Sequence, residues 1–222
     1  MQHAPLLRGG TAARVACLFV GLFLFAVAIV CLLASGLGLS PWDVFQQGIA
    51  KHTPLTLGTA SIVVGLIVLI IAWALGQPPG FGTVANAVGI GLCIDLLLEV
   101  DAVADLEPEA VVAKTLLLVL ALALFGLGSA MYIGAGFGAG PRDSLMLVGS
   151  RRLGIRIAIV RFAMEVTVVT IGWLLGGTVG IGTLVFVLAI GPVVEGSFWL
   201  FVRLRLARMP AGGLEEIADE IY

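Results

Sequence analysis

The two halves of the chain match each other without a gap at a constant offset of 100 positions. Gly36, Gly38, Pro41 and Asp43 recur as Gly136, Gly138, Pro141 and Asp143, so GLGLSPWD in the first half answers GFGAGPRD in the second. Trp73, Gly76, Gly80, Gly82, Thr83 and Gly91 recur as Trp173, Gly176, Gly180, Gly182, Thr183 and Gly191. Apolar residues coincide by chance in any hydrophobic chain, but glycine, proline, aspartate and tryptophan held in one register mark a duplication. Whatever one half folds into, the other must be able to fold into as well.

Composition says what that unit is. Of 222 residues, 60% are apolar and 12% charged, and the mean hydropathy is +1.14. A soluble domain carries about 25% charge, so a water-soluble globule is excluded. At about 20 residues per membrane-spanning helix, each half holds three apolar stretches, at about 14–35, 55–76 and 84–101, then 114–135, 155–176 and 184–204. The third is the weakest, being short and interrupted by Asp95 and Glu99. Arg8 and Arg14 before the first stretch resemble the start of a secretory leader. However, Lys114 to Ala135 occupies the same place mid-chain, where no leader is cleaved, so both are spans.

Three spans per half is an odd number, so the second half sits upside down relative to the first. Charge supports that. With the N-terminus cytoplasmic, Arg8, Arg14, Arg142, Arg151, Arg152, Arg156, Arg203, Arg205 and Arg208 all fall inside. Lys51, Lys114 and the acidic connection Glu99, Asp101, Asp105, Glu107 and Glu109 fall outside, as the positive-inside rule requires. The expectation is an all-α polytopic membrane bundle: repeat 1 at about 14–104, repeat 2 at about 114–204, and a short cytoplasmic tail from 205 to 222.

Each first span ends in a glycine-rich break and restarts as a short helix, about 42–52 and 142–153, either re-entrant or lying at the interface. Pro41 and Pro141 stand at the first helical position, Ser40 is the cap in the first copy, and Asp43 and Asp143 sit near exposed backbone N–H groups. Such aspartates can serve as helix caps alone. Alternatively, Gly36, Gly38, Pro41, Gly136, Gly138 and Pro141 line a site, because broken backbone at membrane depth is tolerated where it is buried in protein or faces a water-filled cavity. Paired interruptions in two inverted halves point to a transporter's binding site. A second break precedes each third span, with Thr83 and Thr183 as natural N-caps; close packing of a tight hairpin accounts for these links at least as well.

Among polar residues inside spans, Glu165 is the most costly. It either faces a polar cavity or pairs with Arg161 one turn earlier, or with Arg142. Its repeat mate is Gly65. Asp95 and Glu195 are repeat mates, on a path or at opposite interfaces, and Asn86 either lines a path or bonds a neighbouring helix. Gly172 and Gly176 form a small-xxx-small packing pair. Trp42, Trp73, Trp173 and Trp199 are expected as interface anchors.

The net charge of -2 offers no basic face for nucleic acid. Cys17, Cys31 and Cys93 lie in apolar runs and His3 and His52 are isolated, so no disulfide framework, metal site or cofactor is expected. No nucleophile–base pair appears, which argues against an enzyme. The partners expected are the lipid bilayer, a small substrate that the sequence does not identify, and a second copy in a homodimer. The acidic tail, with Leu214, Ile217 and Ile221 at helical spacing, is either solvated or docked on Arg151 and Arg152.

The segments Gly36 to Val44, Gly80 to Thr83 and Gly136 to Asp143 resemble the YczE-type integral membrane proteins, related to the YitT group, and the resemblance runs from about Arg14 to Phe201. It implies a bacterial inner-membrane protein of a family associated with transport, without established biochemistry and with no catalytic residues to transfer. The soluble C-terminal ligand-binding extension of YitT-type proteins has no counterpart here, which favours the YczE branch. Two functions are therefore carried forward. One is a small-molecule or ion transporter or exporter working at the interface of the halves, with both termini cytoplasmic. The other is a non-transporting scaffold acting through a partner at the cytoplasmic arginines or the tail.

Overall fold

The computed structural model describes residues 5–208 apart from Asp105 and Glu107. The acidic tail, with Leu214, Ile217 and Ile221, lies outside the described residues, as do those two members of the acidic connection. In chain order the elements are β1 (Leu6–Leu7), α1 (Thr11–Ser35), α2 (Pro41–His52), α3 (Leu57–Ala74), α4 (Phe81–Leu98), α5 (Asp101–Ala104), α6 (Val111–Gly134), α7 (Pro141–Leu153), α8 (Ile157–Leu174), α9 (Ile181–Arg203) and β2 (Ala207–Arg208). Six of these, α1, α3, α4, α6, α8 and α9, are long and apolar enough to cross a membrane. At about 1.5 Å per residue the shortest, of 18 residues, reaches roughly 27 Å, close to the thickness of the hydrocarbon core. The protein is an all-α polytopic membrane bundle.

The chain breaks where the glycines are. Gly36 closes α1 in the left-handed conformation (φ 64°), with its N–H on Leu33 O. Ser40 caps α2 by accepting the Asp43 N–H, and Pro41 opens the helix. Pro141 opens α7 in the same way, with Gly140 at the cap. Thr83 and Thr183 are not the N-caps expected of them. The caps are Gly80 and Gly180, and each threonine stands three residues inside, its Oγ1 accepting the cap's own N–H at 3.1 and 3.2 Å. A threonine at that position reaches back as the glutamate of a capping box does. Consequently the third span of each half starts about three residues earlier than the apolar pattern indicates.

The centre of the bundle is the antiparallel pair α1 and α6. Phe25 meets Phe125 edge-on with centroids 4.3 Å apart, and Gly21 faces Gly128, where a Cβ on Gly21 would stand 2.8 Å from the Gly128 carbonyl oxygen. Small residues permit this approach, as they do between helices in lipid generally. α4 packs on α1 and α3, and α9 on α6. The short helices cross over, with α2 against α8 and α7 against α3. Gly172 makes the first of these contacts: a Cβ there would lie 2.5 Å from Phe45 N. Gly176, its expected packing partner, serves instead as a left-handed turn (φ 77°).

Contacts sort the connections to two ends. At one end the Gly182 N–H donates to Leu37 O at 2.7 Å and the Leu39 N–H to Thr178 O at 3.2 Å, while Lys51 Nζ donates to Gly176 O at 2.6 Å. At the other end the Gly82 N–H donates to Phe137 O at 2.8 Å, Arg152 Nη2 donates to Leu75 O at 2.8 Å, and Arg14 Nε donates to Ala135 O at 2.8 Å. Arg14 begins α1 and Leu37 follows its end, so the two sets lie a helix length apart. β1 pairs with β2 antiparallel, Leu6 opposite Arg208, beside Gly136, where a Cβ would stand 2.8 Å from the Leu6 side chain. The two flanking segments therefore meet at the Arg14 end.

Candidate functional site

The N-terminal ends of α2 and α7 converge on one cavity of about 70 Å³. Trp42, Asp43 and Gln46 of α2 enter it from one side, Gly140, Pro141 and Arg142 from another, with Asn86 and Ile90 from α4, Ser61 and Val64 from α3, and Phe25, Ile29 and Tyr132 from the central pair. One water needs roughly 10–15 Å³ on this measure, so the space suits a cluster of waters or one small solute.

Asp43 is 4% exposed. Its carboxylate accepts the Ser40 hydroxyl, and Ser40 Oγ in turn accepts the Asp43 N–H at 3.4 Å. Asp43 lies on α2, outside the six spans. Burial pushes its carboxyl up to about 6, with the Ser40 hydrogen bond and the Arg142 charge acting in the opposite direction. Arg142 lies over the Phe25 ring, its guanidinium carbon 5.7 Å from the centroid. Among the described residues the salt bridge formed is Arg161–Glu165, so Asp43 and Arg142 border the same space without closing on each other. Gln46 is 8% exposed, and its Oε1 is buried with no hydrogen-bond partner. An unsatisfied buried acceptor costs about 1–3 kcal/mol, and this one belongs to a side chain that lines the cavity.

The aspartate of the second copy is used differently. Asp143 Oδ2 accepts the Tyr132 hydroxyl at 3.0 Å, and Asn86 Oδ1, Tyr132 OH and Asp143 Oδ2 all gather around Gly140, within 3.5 Å of where a Cβ would be. A methyl group at 140 would press on that group, which would have to give by a few tenths of an ångström.

The remaining expected site residues lie elsewhere. Glu165 takes the Arg161 alternative, Arg161 Nε donating at 3.0 Å, and neither residue lines the cavity; repeat mate Gly65 does. Asp95 receives Thr56 Oγ1 at 2.6 Å, the Gly58 N–H at 2.9 Å and Thr59 Oγ1 at 3.1 Å. It thus ties the start of α3 to the end of α4. Glu195 is exposed on α9. Gly38 and Gly138 pack against the start of the opposite half's third span, near Thr183 and Thr83 respectively, so both breaks hold the halves together and only the residues just after them reach the cavity. Trp73, Trp173 and Trp199 are exposed at 59%, 63% and 59%, as interface anchors would be, but Trp42 is 9% exposed and lines the cavity. It stands in the first turn of α2, whose start turns inward.

Gln46, Tyr132 and Ser61 were not singled out by sequence. Gln46 and Tyr132 each carried a signal. Gln46 stands one turn after Asp43 on the same helix face, and Tyr132 is a hydroxyl-bearing aromatic late in an apolar span.

Three curated relatives are similar over most of their length. An "Uncharacterized protein" of Haemophilus influenzae is 34% identical, covering 86% of this chain and 87% of its own. The "Uncharacterized membrane protein YczE" of Bacillus subtilis is 33% identical over 81% and 82%, and "Uncharacterized protein YyaS" of the same organism is 30% identical over 81% and 92%. No solved structure matches. The family described as a family of unknown function, DUF6198, matches residues 12–197, and the chain belongs to it.

Proposed function

We propose that the protein is a small-molecule or ion transporter of the bacterial inner membrane, with its substrate site in the cavity between two inverted halves. The observation that carries this reading is that Asp43 and Arg142, at the starts of the two equivalent broken helices, share one cavity without pairing, beside the unpartnered Gln46. Opposite charges left apart at bundle depth are costly unless something bridges them, and broken helices in equivalent places are where transporters hold substrate. The inverted arrangement draws support from Lys51 and Arg152, which serve opposite ends of the bundle. In that arrangement the Arg14 end is cytoplasmic, and so are both termini. Alternating access is a rocking of one half against the other about the α1–α6 pair, the Leu37–Gly182 and Phe137–Gly82 hydrogen bonds opening in turn.

The scaffold reading drew on exposed cytoplasmic arginines. Arg152 already donates twice to Leu75 O and Arg151 to Gln77 Oε1 at 3.4 Å, so these side chains are engaged within the fold. The test is flux into reconstituted vesicles across a metabolite and ion screen. Asp43→Asn and Arg142→Gln should abolish flux while the protein still inserts, and Glu165→Gln should leave it within a few-fold. Full flux in both cavity variants refutes the site, and absence of any flux in wild type refutes transport.

A further inference from the structure

The cavity has two chemically opposite poles. On the α2 side two acceptors border the space, the Asp43 carboxylate and, one turn on, Gln46 Oε1, which is buried with nothing donating to it. The Trp42 indole completes that wall. On the α7 side stands Arg142, a guanidinium with five N–H donors, for which no hydrogen bond or ion pair is formed among the described residues. Asp143, next to it in sequence, is the carboxylate that acts most strongly on the Arg142 charge, but it accepts the Tyr132 hydroxyl and closes no ion pair with the guanidinium. Resting on the proposed transport site, we propose that the cavity binds a small zwitterion, its ammonium on Asp43 and Gln46 and its carboxylate on Arg142.

The geometry favours this class over a simple ion. A lone cation would leave the Arg142 charge unmatched, and a lone anion would leave the Asp43 charge unmatched. A molecule carrying both charges satisfies both poles and spans the gap that keeps Asp43 and Arg142 from pairing. The space, about 70 Å³, holds a few water-sized groups at roughly 10–15 Å³ each, so the smallest zwitterions, glycine and β-alanine, are the probes.

The test is binding to the full-length protein in detergent or nanodiscs, with glycine and β-alanine as zwitterions and ethylammonium and propionate as single-charge controls. At least one zwitterion should bind tenfold or more tighter than either control. Asp43→Asn should erase the advantage over propionate, and Arg142→Gln the advantage over ethylammonium. Gln46→Met serves as the variant least prone to misfold, since it removes an unsatisfied buried amide; it should keep or raise thermal stability while weakening zwitterion binding about tenfold, the loss of one buried hydrogen bond. A control that binds as tightly as the zwitterions, binding of none of the four probes, or unchanged affinity in Gln46→Met overturns the proposal. Binding that shows this pattern without flux in vesicles would instead refute transport and leave the ligand class standing.

Discussion

Gly38→Ala tests whether the glycine breaks hold the two halves together. Gly38 has φ +115°, where an L side chain is strained, and a Cβ there would lie 2.6 Å from Gly180 N, 2.6 Å from Thr183 Oγ1 and 3.0 Å from Gly180 Cα. Two of those atoms are backbone, fixed by the turn that starts α9, so the methyl group cannot be accommodated by a rotamer change. Backbone strain for a non-glycine residue at such an angle costs about 1–3 kcal/mol. Forced overpacking adds about 1–3 kcal/mol, and weakening the neighbouring Leu37 O to Gly182 N–H hydrogen bond removes roughly 1 kcal/mol more. The expected loss is thus about 3–7 kcal/mol, read from equilibrium unfolding in mixed detergent. Gly191→Ala is the control on α9 itself. No atom lies within 4 Å of a Cβ at Gly191, so alanine there should be neutral or stabilising by up to about 1 kcal/mol through helix propensity. A Gly38→Ala protein within about 0.5 kcal/mol of wild type, the usual scatter for harmless surface changes, would show that the halves are not clasped there.

Other consequences follow from named contacts. Asp95→Ala removes the acceptor of three hydrogen bonds at the start of α3 and should cost about 2–4 kcal/mol in the same unfolding assay, whereas Asp95→Asn should cost roughly half as much, because it loses the charge and keeps one oxygen. Zwitterion affinity should fall as pH drops through about 6, since a protonated Asp43 no longer offsets an ammonium. The groups around it are Ser40 and Arg142 from α7, with Asp143 and Tyr132 beside that arginine, and loss of the pH dependence in Asp43→Asn is the check. With Cys17, Cys31 and Cys93 replaced, single cysteines at Lys51 and Arg151 should react with impermeant reagents from opposite faces of the membrane; labelling from one face would remove the inverted arrangement.

Much of the fold was legible because the features that set it are local. Proline at 41 and 141 and glycine at 36 and 38, 136 and 138 fix where helices stop and restart whatever surrounds them, and the short-helix bounds come within a residue of those expected. The site was harder to read. Charge alone pointed to Glu165, yet Glu165 finds its partner one turn away on its own helix, a solution that needs nothing from the rest of the protein. Asp43 and Arg142 were named, but that they face the same space depends on α2 and α7 approaching from separate halves, a distance of nearly 100 residues that no local pattern encodes.

The repeat also promises more symmetry than the structure delivers, and the difference traces to single positions. In the first half Gly58 lies against Gly91, each facing the other's carbonyl oxygen, so α3 and α4 pack along their length. The mate of Gly58 is Ala158, and its methyl group stands where that approach would occur. α8 and α9 barely touch, and Gly191, freed of its partner, has open space around it. The acidic mates diverge as well. Asp95 holds the first turn of α3 through Thr56, Gly58 and Thr59, but the mates of those residues are Arg156, Ala158 and Ile159, which lack both hydroxyls, and Glu195, one methylene longer, is left exposed. If one half rocks, α8 can shift with α2, on which it packs, independently of α9, and Ala158→Gly together with Glu195→Asp should draw it onto α9. Flux should fall in that double variant while unfolding free energy rises; unchanged flux would mean that the slack between α8 and α9 plays no part in the cycle.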